Sequence, residues 1–395
     1  MCSSDLVASF ENFWELGASA WIDWDNDGDK DIINFPRGYI PYTDEEPGTY
    51  PEKGKIEPSD AASAVNVPPM FYRNVGNNTF ELAEITLPPI LYAVIEAGDL
   101  NNDGWTDIIA TGADTAFVFL NQMNDNFAIV PLASDLEYYG GNIDLADYDC
   151  DGDLDAAVIG LLFDPWLPYY INVLKNDGTG NFTKIPFTDF DLFNADIDFG
   201  DYDNDGDPDL IFSGHTGWWF GNPSEPYDKT EFYRNDGNDT FTFEDFGITA
   251  YGFGGQEWGD YNNDGRLDLA INGYEPAAIY QSAGFEANTP PEAPENLQVT
   301  YNEQNNCFEL SWNPATDDQT PSPGLSYNVR IGTLPGGDDV LSPMADLATG
   351  QRLVPKTGNA GQNTFFNFCN PPFGQYYWSV QAIDAAFAGS EFSAE

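Results

Sequence analysis

One nine-residue pattern, D-x-[DN]-x-D-G-x-x-D, occurs five times and constrains most of what this chain can fold into. Its copies lie in WIDWDNDGDKDII (21–33), AGDLNNDGWTDII (97–109), LADYDCDGDLDAA (145–157), FGDYDNDGDPDLI (199–211) and WGDYNNDGRLDLA (258–270). A second phrase falls between them: FYRNVGNNTF (71–80), FLNQMNDNF (119–127), VLKNDGTGNF (173–182) and FYRNDGNDTF (232–241). It reads as strand, tight Asn/Asp/Gly turn, strand. One strand leads into each acidic loop, and an apolar run such as DIIAT or DLIFS leaves it. Four short strands repeated at this interval predict an all-β chain, a β-propeller of four-stranded blades, with five visible over 13–287. A Pro-, Gly- and charge-rich insert (36–70) stretches the first interval as a long loop. The fifth unit ends early, at YQSAGF (280–285).

The Pro-rich linker NTPPEAP (288–294) opens a second unit. LQVT (297–300), CFELSW (307–312), LSYNVRIG (325–332), TFFNFC (364–369) and YYWSVQAID (376–384) alternate with turns, which predicts a C-terminal β-sandwich over 295–395. If CFELSW and TFFNFC are antiparallel neighbours, Cys307 and Cys369 come within reach of a disulfide; two buried thiols are the alternative.

The repeated loops carry the chemistry. Positions 1, 3, 5 and 9 offer side-chain oxygens: Asp23, Asp25, Asp27 and Asp31; Asp99, Asn101, Asp103 and Asp107; Asp147, Asp149, Asp151 and Asp155; Asp201, Asp203, Asp205 and Asp209; Asp260, Asn262, Asp264 and Asp268. Glycine at position 6 lets the backbone curl tightly enough to turn these short side chains inward. Position 7 is Asp29, Trp105, Asp153, Asp207 or Arg266, a mixture that suits donation from the backbone carbonyl. Hard oxygen donors describe Ca²⁺ better than Zn²⁺, which prefers His and Cys. An EF-hand would need Glu at position 12, where this chain has Asn34, Ala110, Val158, Phe212 and Ile271.

Charge agrees with a bound cation. The chain has 66 Asp and Glu against 13 Lys and Arg, a formal charge of −53, and about a third of the acids sit in these loops. Acidic turns without metal remain the plainer alternative, but they would crowd carboxylates for no gain. So few basic residues argue against nucleic acid as a partner. No stretch reaches the ~20 apolar residues needed to span a membrane.

The loops in their GDYDNDGDxDL context, with the YRNDGNxTF hairpins, resemble the FG-GAP/VCBS repeats of integrin-α-type propellers. That resemblance implies Ca²⁺ held structurally, at about five sites, between the first two strands of each blade. APENLQVT…ELSWNPATDD…LSYNVRIGT…YYWSVQAIDAAFAGSEFS resembles a fibronectin type III domain, with Trp312 and Tyr327 where that family places core aromatics. The combination is similar to secreted bacterial surface proteins and implies an extracellular or cell-surface location. The first residues, MCSSDLVASF, have no signal-peptide character and read as an arbitrary start on a longer protein.

A propeller carrying calcium loops on one face leaves variable loops on the other. There the sequence places Trp166, Tyr169, Tyr170, Trp218, Trp219 and Tyr227, aromatics suited to stacking on sugars or partner side chains, or else to capping the blade core. The leading expectation is a non-enzymatic extracellular binding or adhesion protein for a glycan or protein. The alternatives are a polysaccharide lyase or other glycan-degrading enzyme, and a structural spacer for a catalytic region elsewhere. Arg73, Arg234, His215 and Tyr227 are the candidates an enzyme would have to bring together, and His215 reads more readily as structural. Three Asn-x-Thr sequons, at Asn77, Asn181 and Asn238, lie in hairpin turns where Asn and Thr are expected anyway.

Overall fold

The computed structural model describes residues 17–36, 68–77, 79–112, 115–132, 138–162, 170–189, 192–216, 228–252, 254–273 and 275–395. Among these the chain is all-β, with no α-helix. Five antiparallel sheets form in sequence order. The first contains β1 (Ala18–Ile22), β2 (Asp31–Phe35), β3 (Met70–Asn74) and β4 (Phe80–Ala83). The second contains β5 (Val94–Gly98), β6 (Asp107–Thr111), β7 (Ala116–Asn121) and β8 (Phe127–Pro131). The third contains β9 (Tyr138–Ala146), β10 (Asp155–Leu162), β11 (Tyr170–Asn176) and β12 (Phe182–Asp189). The fourth contains β13 (Leu192–Gly200), β14 (Asp209–Thr216), β15 (Asp228–Asn235) and β16 (Phe241–Glu244). The fifth has three strands, β17 (Gln256–Gly259), β18 (Asp268–Ile271) and β19 (Ala278–Tyr280).

Each sheet is a meander, as tight turns between consecutive strands require. Four strands per unit therefore holds in the first four sheets and fails in the fifth. There the chain leaves β19 for the prolines of the linker, which lack the N–H a further strand would need.

The first strands pack side by side in the order β1, β5, β9, β13, β17. The core lies between consecutive sheets, and the two-residue strand period explains why. On β6, Ile108 and Ala110 face the first sheet while Ile109 faces the third. On β10, Ala156 and Val158 look back to the second sheet, and Ala157 and Ile159 forward to the fourth. The second strands thus read as continuous apolar runs because both faces are covered.

Position 2 of each acidic loop belongs to the same scheme. Trp24, Leu100, Tyr148 and Tyr202 are each buried in the core shared with the following sheet. Tyr261, at position 2 of the fifth loop, is 59% exposed, since no described sheet follows it.

The C-terminal unit comprises a three-stranded sheet of β20 (Glu295–Asn302), β21 (Cys307–Asn313) and β23 (Phe365–Cys369), and a two-stranded sheet of β22 (Ser326–Gly332) and β24 (Tyr377–Ile383). Leu310, Trp312, Tyr327, Val329, Ile331, Phe366 and Val380 form one core between them. Tyr327 is buried there, and its hydroxyl accepts a hydrogen bond from the Ala315 N–H at 2.9 Å. Cys307 and Cys369 are register partners on β21 and β23 and are disulfide-bonded.

Candidate metal centres

All five acidic loops connect the first and second strands of their sheets, and position 9 is the first residue of the second strand. The loop closes on its own aspartates. Position 1 caps the turn: Asp147 accepts from the N–H groups of Asp151 at 3.0 Å and Gly152 at 2.9 Å. Asp201 and Asp260 repeat this with their own loops, and Asp99 does so with Asp103 and Gly104. Position 5 in turn accepts from the N–H of position 7, as Asp27 does from Asp29 and Asp103 from Trp105. Position 6 glycines sit at φ of 78 to 103°, which L side chains rarely adopt. At Gly206 a Cβ would also lie 2.1 Å from the Gln319 carbonyl oxygen.

These backbone bonds leave oxygens over. In the first loop Asp23 Oδ1, Asp25 Oδ1, Asp29 Oδ1 and Asp31 Oδ2 are buried without a hydrogen-bond partner. Asp149 Oδ1, Asp207 Oδ1, Asn262 Oδ1 and Asp268 Oδ2 share that condition. Buried carboxylate oxygens without donors are costly unless a cation meets them. Three loops gather three carboxylates with ligand oxygens within 4.8 Å of one another: Asp23, Asp25 and Asp27; Asp147, Asp149 and Asp155; Asp201, Asp203 and Asp209. Two oxygens on one Ca²⁺ stand no farther apart than about twice its 2.3–2.6 Å bond. The second and fifth loops have Asn at position 3, so the amide oxygen of Asn101 or Asn262 would replace a charge.

The electrostatics point the same way. Burial pushes Asp23, Asp31, Asp147 and Asp201 up to about 8, and neighbouring loop carboxylates add to it. Asp107 and Asp155 rise to about 9, again mainly by burial. The donor set fits a hard divalent cation. At position 7, Arg266 donates to the Phe285 carbonyl at 2.7 Å with its guanidinium also 3.5 Å from Asp264, and Trp105 packs against Cys307 and Cys369.

Three features were not anticipated from the residues. The hairpin asparagine locks the first four loops to their sheets: the N–H groups of Asn74, Asn121, Asn176 and Asn235 donate to the position 9 aspartates Asp31, Asp107, Asp155 and Asp209 at 2.6–2.8 Å. Its side chain then reaches the previous loop. Asn121, Asn176 and Asn235 donate to the position 2 carbonyls of Trp24, Leu100 and Tyr148 at 2.7–2.8 Å. Second, position 4 donates to the position 6 carbonyl of the next loop: Asn26 to Gly104, Asn102 to Gly152, Cys150 to Gly206 and Asn204 to Gly265. The recurring N-D-G and R-N phrases were the signal. Asn176→Ala would strand the carbonyls of Leu100 and Leu154, and a loss of about 3 kcal/mol is expected from denaturant unfolding.

Third, the C-terminal unit rests on the loops. The Cys369 N–H donates to Asn26 O at 2.7 Å and Asn363 Nδ2 to Asp99 Oδ2 at 2.6 Å, and in the linker before the unit the Asn288 N–H donates to Gly265 O at 2.7 Å.

The other candidate residues are placed differently. Trp166, Tyr169, Trp218, Trp219 and Tyr227 lie outside the described residues, as does the Tyr170 side chain, although Tyr170 begins β11. Arg73 donates to Asp25 at 2.8 Å and to Asp125, beside the first loop. Arg234 pairs with Asp236 and Glu244, and buried His215 shares a 2.6 Å hydrogen bond with Asp228. Asp228 and Arg234 stand at opposite ends of β15, about 20 Å apart by strand rise, so these bases do not converge.

Comparison with curated proteins finds no match. Among solved structures, an Agrocybe aegerita lectin that recognises non-reducing terminal N-acetylglucosamine aligns at 16% identity and TM-score 0.43, over 76% of this chain and 66% of that one. A glycoside hydrolase aligns at 9% identity and TM-score 0.29, over 59% and 87%. The Photorhabdus luminescens Tc holotoxin pore aligns at 12% identity and TM-score 0.26, over 76% and 17%. Likenesses this loose carry no argument about the chain. Residues 99–158, which run from the second acidic loop through the third into β10, match the family model of an FG-GAP-like repeat.

Proposed function

We propose that the five sheets are blades of a β-propeller whose acidic loops hold structural Ca²⁺, and that the protein is an extracellular or cell-surface binding protein for a glycan or a protein. The observation that carries this reading is the set of buried, unpartnered loop oxygens beside clustered carboxylates. In each loop positions 1, 3, 5 and 9 would hold the ion by side chains and position 7 by its carbonyl. The disulfide suits an oxidising compartment. Among the described residues no helix is long and apolar enough to cross a membrane.

The C-terminal unit, read as a fibronectin type III-like sandwich, occupies the loop side, which leaves the opposite loops for a ligand. A non-enzymatic role is supported by the engagement of Arg73, Arg234 and His215 in separate acidic pairs. A glycan array with and without EDTA tests the reading. Binding to a defined glycan class is expected, with the signal lost in EDTA. Incubation with acidic polysaccharides is expected to yield no unsaturated ends by absorbance. Their appearance would make the protein a lyase, and a chain that binds neither glycans nor matrix proteins would be a spacer.

A further inference from the structure

The residue just before each hairpin asparagine varies in a way that follows the acidic loops. It is Arg73, Leu120, Lys175 and Arg234 in the first four repeats, and Gln281, before Ser282, in the fifth. Ser282 takes the asparagine's place there, its N–H donating to Asp268 Oδ1 at 2.8 Å. A base stands at this hairpin position only where positions 3 and 7 of the loop are both aspartate, as in Asp25 and Asp29, Asp149 and Asp153, Asp203 and Asp207. The second loop pairs Asn101 and Trp105 with Leu120, and the fifth pairs Asn262 and Arg266 with Gln281. Loops of five carboxylates thus carry a hairpin cation, and loops of three do not.

In two repeats that cation reaches its loop directly. Arg73 Nε donates to Asp25 Oδ2 at 2.8 Å, and Lys175 Nζ donates to Asp149 Oδ2. The other oxygen of each aspartate, Oδ1, is buried without a hydrogen-bond partner. Position 3 is therefore split, with one oxygen on the base and one left over. Each base also faces an acid in the hairpin turn of the following sheet. Arg73 Nη2 donates to Asp125, and Lys175 Nζ lies 3.9 Å from Asp239 and 3.8 Å from Asp151 of its own loop. Position 2 of the same loop fixes each turn acid: Trp24 Nε1 donates to Asp125 at 3.0 Å, and the Tyr148 hydroxyl to Asp239 at 2.7 Å. Arg234 differs, pairing with Asp236 and Glu244.

We propose that Arg73 and Lys175 are resident counter-ions of the first and third loops, which hold the ion-free loop in shape and oppose the ion that fills it. This rests on the loops holding Ca²⁺. Carboxylates crowded into one turn repel one another, and a base on position 3 relieves that repulsion while no ion is present. Once a divalent ion meets the same carboxylate, base and ion repel, so the base raises the calcium concentration at which the loop fills. Asp125 and Asp239 then give the base a second partner.

Lys175 offers the cleaner test, since position 8 of its loop is Leu154 where the first loop has Lys30. Calorimetric titration of the full chain with Ca²⁺ identifies the third-loop ion as the one lost in Asp155→Asn. Lys175→Met is expected to bind that ion about tenfold more tightly. The same variant is expected to be less stable than the parent in EDTA, and by linkage to recover about 1.4 kcal/mol of that loss in saturating Ca²⁺. Lys175→Arg, which keeps the charge, is expected to restore the parent affinity and both stabilities. An affinity unchanged or weakened in Lys175→Met, with equal destabilisation in EDTA and in Ca²⁺, would overturn the proposal and leave an ordinary surface ion pair. If Asp155→Asn binds as many ions as the parent, the loop reading falls with it; if that ion is lost but Lys175→Met binds like the parent, the counter-ion role alone falls.

Discussion

Stripped of divalent ions by EDTA, the protein is expected to melt at least about 10 °C below its melting temperature in millimolar calcium. The size follows from mass action. A site with a Kd of ~0.1 mM, typical of extracellular modules, contributes about 1.4 kcal/mol at ~1 mM calcium. Five such sites total about 7 kcal/mol, comparable with the whole net stability of a domain. The first loop shows where the energy would arise, because four of its carboxylate oxygens are buried with no donor to face them. Calorimetric melting of one preparation in the two conditions decides it. Coincident transitions would mean that the loops fold around protons or water instead.

Loss of the disulfide should be the next largest effect. Cys307 and Cys369 are 62 residues apart, and closing a loop of that length restricts the unfolded chain by about 4 kcal/mol in the chain-entropy account. Cys307→Ser with Cys369→Ser is therefore expected to lower the stability of the C-terminal unit by that amount, read from denaturant midpoints. The bond also touches the loops: Trp105 packs on both cysteines, and the Cys369 N–H holds Asn26 O. The double variant should consequently loosen the second loop, visible as increased Trp105 solvent exposure in fluorescence quenching. A midpoint unchanged within error would show that strand pairing alone holds β21 to β23.

How far the residues alone could be read depended on the range of each interaction. The acidic loops and the strands around them are local patterns, set by alternation and turn chemistry. Their positions in the structure match that reading. The roles of Asn121, Asn176 and Asn235 were not legible, since each looks like an ordinary turn residue until the preceding sheet is brought alongside. The role of position 4 was hidden for the same reason: its partner carbonyl is 50 to 80 residues away, in the next repeat. The docking of the C-terminal unit on the loops had no sequence signature at all. It depends on complementary shape, as where Gly206 lets the Gln319 backbone approach.

The position 4 contacts also differ in strength along the series. Three are amide donors, whereas the third is the thiol of Cys150, 3.5 Å from Gly206 O. A thiol is a weak donor, so this is the weakest of the four position 4 contacts. Drawing the repeats apart would therefore break this contact before the other three in that row.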